Sequence, residues 1–208
     1  MVLSGEIAPG SRIHIDELRA KLDMGASPVR EALSILSSEQ LVLRTEQRGF
    51  RAAEISAEDF NTLVQTRCRL EGYALQDSIR LGDNAWKEGI VVLQYRLAGL
   101  SRETATSEWE DTHHDFHRAL IAACPSGYLL KFCSQLYDLN VRYRNIAKLA
   151  AYPARKIEDE HAKLAEATLN RDADLAVNLL TEHYQRTGEF VYRKLSEQEK
   201  QQSLEATS

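Results

Sequence analysis

The sequence predicts a mainly α protein: an N-terminal winged helix-turn-helix with a small β-hairpin wing, followed by an all-helical antiparallel bundle. Two observations carry this expectation. Residues 1–53 change character every few positions, whereas nearly everything beyond Glu54 follows the helical period of apolar residues. The interruptions in that second part are short and hold Gly, Pro or Asn, as at Leu81-Gly82-Asp83-Asn84 and Cys124-Pro125-Ser126-Gly127. The expected division is residues 1–53, residues 54–196 and a polar tail, 197–208, that frays.

Within the first part, Pro9-Gly10 makes a turn and Asp16–Leu22 a brief helix with Leu18 and Leu22 facing inward. Asp23-Met24-Gly25 ends it. A second helix, running to about Ser38, opens at Ser27-Pro28-Val29-Arg30-Glu31-Ala32-Leu33. Ser27 is expected to cap it, with Pro28 at the first helical position, where a missing N–H costs nothing. Val29, Ala32, Leu33 and Leu36 form its apolar stripe, and Arg30 leaves the first turn on the opposite side. Leu41–Arg44 and Phe50–Ala53 are strand-like runs around the polar turn Thr45-Glu46-Gln47-Arg48-Gly49, which reads as a hairpin. A short helix that offers a guanidinium from its N-terminal turn suits a DNA major groove.

In the second part, helices are expected over roughly 57–81, 84–100, 104–123, 127–150, 154–169 and 172–195. No stretch approaches the ~18 consecutive apolar residues that a membrane span needs. Met1–Glu6 lacks the basic start and apolar run of a signal peptide. Three cysteines, Cys68, Cys124 and Cys133, without CxxC spacing, fit a reducing cytoplasm better than a disulfide framework.

Net charge is −5 over 208 residues, and residues 1–53 carry seven basic and seven acidic side chains. Any DNA binding must therefore come from placed arginines, doubled in a dimer, and not from a basic coat. No GxSxG, P-loop or GxGxxG occurs, so catalysis has little support. The alternative of a metal-dependent enzyme acting on a small carboxylate, with a vestigial DNA-binding domain, would show turnover on metal loading.

Four histidines stand out on apolar stripes. His113 and His117 are four apart and project from one side of one helix, shared with Trp109, Phe116 and Leu120. His161 lies with Ile157, Leu164, Ala165 and Thr168, and His183 with Leu179, Arg186 and Phe190. Three predicted helices thus aim four imidazoles at a common interior, while His114 points elsewhere. Such a set can complete a metal site, or each can be a separate hydrogen-bonded core histidine. Glu160, beside His161, is a candidate to support a ligand from behind.

Arg67 also faces inward, on the stripe of Phe60, Leu63, Val64, Leu70 and Ala74. A buried guanidinium needs an anion. Glu71, four residues on, is one partner, and a ligand carboxylate gripped in bidentate fashion is the other. Arg144 lies near an apolar stripe with Cys133, Leu136, Asn140 and Ala147. Arg142, grouped with Lys131, Gln135 and Asp138, reads as part of a solvated face.

Gly5-Glu6-Ile7-Ala8-Pro9-Gly10, Pro28–Leu33 and Arg48-Gly49-Phe50 together resemble the winged-helix domain of GntR-family bacterial transcription regulators. Arg67-x-x-x-Glu71, Phe116-His117, Glu160-His161 and His183 look like the all-helical FadR-type C-terminal domain, called FCD. The resemblance implies a homodimer on a palindromic operator, usually repressing. It implies release by a small carboxylate held in the bundle beside a metal. Arg30 and Arg48 would contact DNA, with Ser27, Pro28 and Gly49 placing backbone contacts. His113, His117, His161 and His183 would hold the metal, and Arg67 and Arg144 the effector.

The family commonly uses one Asp and three His as ligands, and the Asp position is His113 here. An all-histidine set suits zinc or nickel. The His-x-x-Phe-His run followed by Ala-Leu-Ile-Ala-Ala-Cys resembles the carbon-starvation-induced regulator subgroup, which implies a C5 dicarboxylate such as glutarate or 2-hydroxyglutarate. Family members usually carry Ser-Arg-Thr where this chain has Gly25-Ala26-Ser27, so one DNA-contacting Arg is replaced by Ala26 and the operator should differ. The chain also begins where the family's first helix ordinarily ends, which reads as a truncated first helix.

Overall fold

The computed structural model describes residues 1–45, 49–101, 106–147 and 155–205. Arg48 and most of the hairpin turn lie outside them, as does the break expected at Tyr152-Pro153. The elements run β1 (Arg12–Ile13), α1 (Ile15–Leu22), α2 (Ala26–Ser38), β2 (Val42–Thr45), β3 (Gly49–Ala52), α3 (Ala57–Leu81), α4 (Asn84–Ala98), α5 (Thr106–Ile121), α6 (Gly127–Ile146), α7 (Ile157–Leu169) and α8 (Ala173–Glu205). They form two compact units: residues 1–63, 135–150 and 190–208, and residues 64–134 and 151–189. No described helix is long and apolar enough to cross a membrane.

In the first unit, β2 and β3 make the expected hairpin, pairing Val42 with Ala52 and Thr45 with Gly49. Gly49 leaves the turn at φ 86°, a conformation that a Cβ disfavours. The sheet has a third strand that the periodicity did not announce: β1 pairs antiparallel to β3 through Arg12–Arg51 and Ile13–Phe50. Two residues are too few to show an alternating pattern. Along β3, Phe50 and Ala52 face inward, while Gly49 and Arg51 face out. Val2, Ile13, Leu18, Val29, Leu33, Leu41, Val42 and Phe50 form the core, with Leu36 and Leu139 packed against it.

Several expectations for this unit are corrected. Leu22 is 48% exposed, because α1 is only two turns long and buries a single position, Leu18. Ala32 faces solvent. Ser27 does not cap α2: the helix starts at Ala26, and Gly25 holds the cap position without a side-chain bond. Pro28 still fits, because the N–H groups of a first turn have no intrahelical acceptor.

Arg142 is not solvated but 1% exposed, and its Nη2 donates to the Ala53 carbonyl. It follows Leu139 by three residues, so it shares the face that packs on this core. The polar run from Glu197 does not fray but continues α8 to Glu205. It contains no Gly or Pro, and Glu199 accepts a 2.8 Å hydrogen bond from the Ala57 backbone N–H at the start of α3.

In the second unit, α4 packs on α5 and α7. Asp83 caps α4 by accepting from Trp86 N at 2.8 Å, and the Trp86 indole donates to the Ala119 carbonyl at 2.8 Å. Gly82 is required here: a Cβ would lie 2.1 Å from the Trp86 ring. Arg171, at φ 60° between α7 and α8, donates to the Ile79 and Gly82 carbonyls. These ties set the helices whose inner faces carry the histidines.

Candidate metal centre and nucleic-acid interface

α5 brings His113 and His117 to one face, and α7 and α8 bring His161 and His183 to meet them. All four are at most 8% exposed. Each offers one ligand atom, and these atoms lie within 4.8 Å of one another. His113 Nε2 and His117 Nε2 are 3.1 Å apart. Two nitrogens bound at about 2.0–2.1 Å to one ion stand roughly 3 Å apart, so this spacing fits shared coordination. His161 Nε2 is buried with no hydrogen-bond partner among the described residues, which a neutral core histidine would ordinarily find. Trp109 stacks on His113 at 4.6 Å, and fully buried Phe116 sits edgewise to His117, so the walls are apolar.

Electrostatics favour the ligating form. Burial, then neighbouring His183 and His161, hold the His117 imidazole well below its ordinary range. Burial and His183 do the same to His161. Burial also lowers His183, against the pull of Glu160. Neutral imidazoles are the form that binds metal. The residues therefore fit a divalent transition ion, and imidazole donors suit zinc, copper, iron and nickel alike.

Two carboxylates flank the set. Glu160 accepts from His183 Nδ1 at 2.8 Å, and from Arg155 Nε at 2.9 Å and Nη2 at 2.5 Å. Burial raises its pKa, but hydrogen bonds from His183 and Arg155 and the Arg155 charge outweigh this and hold it well below the carboxylate range. Arg155 also bonds Thr187 Oγ1 at 2.7 Å and the His183 carbonyl at 2.9 Å. Sequence reasoning missed Arg155, which precedes its helix and follows no periodic stripe.

On the other side, Arg67 Nε lies 2.7 Å from Glu71 Oε1, with side chains 5% and 4% exposed. The Tyr184 hydroxyl donates to Glu71 Oε2 and lies 3.1 Å from His117 Nδ1, while the Arg67 guanidinium stacks 4.1 Å from the Tyr184 ring. Tyr184 was also missed, since sequence spacing cannot show which helix face meets α3. Arg144 is half-buried and belongs to the first unit.

In that first unit, Ser27, Pro28, Arg30 and Gly49 are all exposed. Arg30 and Gly49 line a concavity of about 660 Å³ together with Arg12, His14, Ser34 and Arg44. Arg12 precedes the buried Ile13 on β1, and Arg44 lies on the exposed part of β2. Arg12 was overlooked because β1 was.

A helix-turn-helix with a three-stranded wing, joined to a helical domain with a buried histidine cluster, is the architecture of a DNA-binding regulator. The family model for gntR bacterial regulatory proteins matches residues 1–51, and that for the FCD domain matches residues 62–186. The regulator BphR of Paraburkholderia xenovorans is 37% identical over 88% of this chain and 77% of its own length. The transcriptional repressor GlaR of Escherichia coli is 30% identical over 88% of this chain and 86% of its own. McbR/YncC of E. coli has the same fold, with a TM-score of 0.80 at 20% identity over 93% of this chain and 92% of that one.

The chain belongs to the GntR family and carries an FCD domain. It is a DNA-binding transcriptional regulator, and its relatives are regulators rather than enzymes.

Proposed function

We propose that this protein is a metal-dependent repressor whose operator binding is released by a small carboxylate in the FCD domain. The observation that carries this is the convergence of four buried imidazoles from three helices within 4.8 Å. His113, His117, His161 and His183 are the proposed ligands, with zinc or nickel as the ion, whose chemistry here is to polarise and orient a bound carboxylate.

Charge accounting supports an anionic effector. Four neutral imidazoles leave a divalent charge uncompensated, and the two adjacent carboxylates already face arginines: Glu71 faces Arg67, and Glu160 faces Arg155. A mono- or dicarboxylate supplies the missing negative charge. The family resemblance favours a C5 dicarboxylate such as glutarate or 2-hydroxyglutarate. Arg67 is the proposed anchor for one carboxylate, and Arg144, in the other unit, is a candidate that the sequence pattern alone puts forward.

For DNA, Arg30 and Arg48 are the proposed base- or groove-contacting residues, with Ser27, Pro28 and Gly49 beside the backbone. A homodimer on a palindromic operator in the cytoplasm doubles these few contacts, which the lack of a basic excess requires.

The test is titration of the metal-free protein with zinc or nickel, then glutarate, followed by calorimetry and by mobility shift on a selected operator. Zinc and glutarate together should weaken operator binding. Effector should bind the DNA-free form more tightly, because the coupling is reciprocal. Equal effector affinity with and without operator refutes the release mechanism. Loss of glutarate affinity in Arg67→Ala, but not in Arg144→Ala, removes Arg144 from the site.

A further inference from the structure

Two hydrogen-bond chains end on the outer nitrogens of two of the four histidines. In the first, Glu160 accepts from Arg155 at both carboxylate oxygens and from His183 Nδ1 at 2.8 Å. Arg155 Nη2 also lies 3.2 Å from His183 Nδ1, but its two protons go to Glu160 and the His183 carbonyl. A carboxylate so placed can only accept, so the proton between it and His183 is on Nδ1. In the second, Glu71 accepts from Arg67 through one oxygen and from the Tyr184 hydroxyl through the other. Tyr184 has a single hydroxyl proton and gives it to Glu71. Its oxygen, 3.1 Å from His117 Nδ1, can then only accept from that ring. His117 is therefore also protonated at Nδ1.

We propose that Glu160 directly, and Glu71 through Tyr184, are positioning residues that hold His183 and His117 in the Nδ1–H tautomer, so that both present Nε2 lone pairs to the centre of the cluster. This rests on the reading of the cluster as a metal site. It goes beyond naming ligands, because it assigns an orienting role to Glu71, Tyr184 and Glu160, residues that need not touch the ion. His117 Nε2 is the atom 3.1 Å from His113 Nε2, so the nitrogen left without a proton is the one facing the other histidines. The two chains differ in kind: one is a bare carboxylate backed by arginine, the other a carboxylate relayed through a phenol. A carboxylate or a relayed hydroxyl behind a ligating imidazole fixes ring orientation and strengthens the donor nitrogen.

The experiment uses the full chain, 15N-labelled at histidine, with long-range 1H–15N spectra of the metal-free protein and zinc titration against a chromophoric chelator. Wild type should show His117 and His183 as Nδ1–H tautomers. Tyr184→Phe, which keeps the Arg67–Glu71 pair, should mix the tautomers of His117 alone and weaken zinc binding about 10–100-fold. Glu160→Gln should disturb His183 alone. It also keeps the test open if one variant misfolds.

An Nε2–H tautomer at either residue in wild type overturns the proposal. So does zinc affinity within twofold of wild type in both folded variants. Failure of wild type to take up zinc overturns the metal reading instead, and the tautomers of the metal-free protein still decide this inference.

Discussion

The two compact units use arginine in opposite ways. In the first, Arg12, Arg30 and Arg44 are exposed around one concavity. In the second, the Arg67 and Arg155 side chains are at most 7% exposed, and each is held on a carboxylate. An exposed guanidinium keeps its hydration until an anionic partner such as phosphate replaces it. A buried one must find its anion within the fold, and that pair then serves as a fixed strut. Hence the same residue type stands exposed to outside anions in one unit and is held on an internal carboxylate in the other. Arg142 shows that the division follows burial and not sequence position. It lies in the first unit, yet it is buried and donates to a backbone carbonyl.

The largest test of the contrast is the double variant His117→Ala/His161→Ala. It should abolish zinc uptake, a loss beyond 100-fold measured by chelator competition, while leaving exposed Arg30 and operator binding by metal-free protein intact. Zinc binding at wild-type affinity would sink the four-histidine site.

Next is Arg67→Ala. It strands a buried Glu71 carboxylate and should cost about 3–5 kcal/mol in urea unfolding. A cost below about 1 kcal/mol would mean that the pair is not buried in solution.

Arg30→Ala should leave the urea midpoint unchanged, because the side chain is exposed, and should remove about 1–3 kcal/mol of base discrimination in mobility shifts. Unchanged selectivity would dismiss Arg30 as a reader.

A pH test probes the interior of the second unit. Burial pushes the Cys68 thiol up to about 11, and Cys133 up to about 12. A raised thiol pKa keeps the neutral form dominant at pH 8, so the thiolate fraction of both should be more than about 100-fold below that of an ordinary thiol of about 8.5, with Cys133 about tenfold below Cys68, and alkylation should be slowed in that order. Rapid labelling at pH 8 would show that these positions are open.

The smallest effect belongs to Ser27→Ala. Since Ser27 makes no capping bond, stability should change by less than about 0.5 kcal/mol, whereas a true cap would cost about 1.

Much of this was legible in local sequence pattern. The helix over 57–81 was expected at those limits and is observed at Ala57–Leu81. The hairpin, the helix pair before it and the four-residue spacing of His113 and His117 were also readable. Each depends on a repeat of two or about 3.6 residues within one segment, or on a turn residue at a fixed offset. The inward stripe of His161 followed from the same rule, as did Glu71 as an available partner for Arg67. His183 is also inward, but it shares its buried face with Leu180 and Val191, whereas the expected neighbour Arg186 is exposed.

What the pattern could not supply is which face meets which neighbour. Strand β1 is too short to be periodic, and it exists because β3 offers it an open edge. Arg142 is buried because Leu139, one turn before it, packs on the N-terminal core. Tyr184 bonds Glu71 across 113 residues, and Arg155 reaches His183 across 28. Such contacts follow from the packing of separate helices, a long-range outcome with no local period. The amino-acid sequence by itself determined the elements and the residue types each would carry inward. Only the tertiary structure decided that four imidazoles share one point, and that two carboxylates stand behind them.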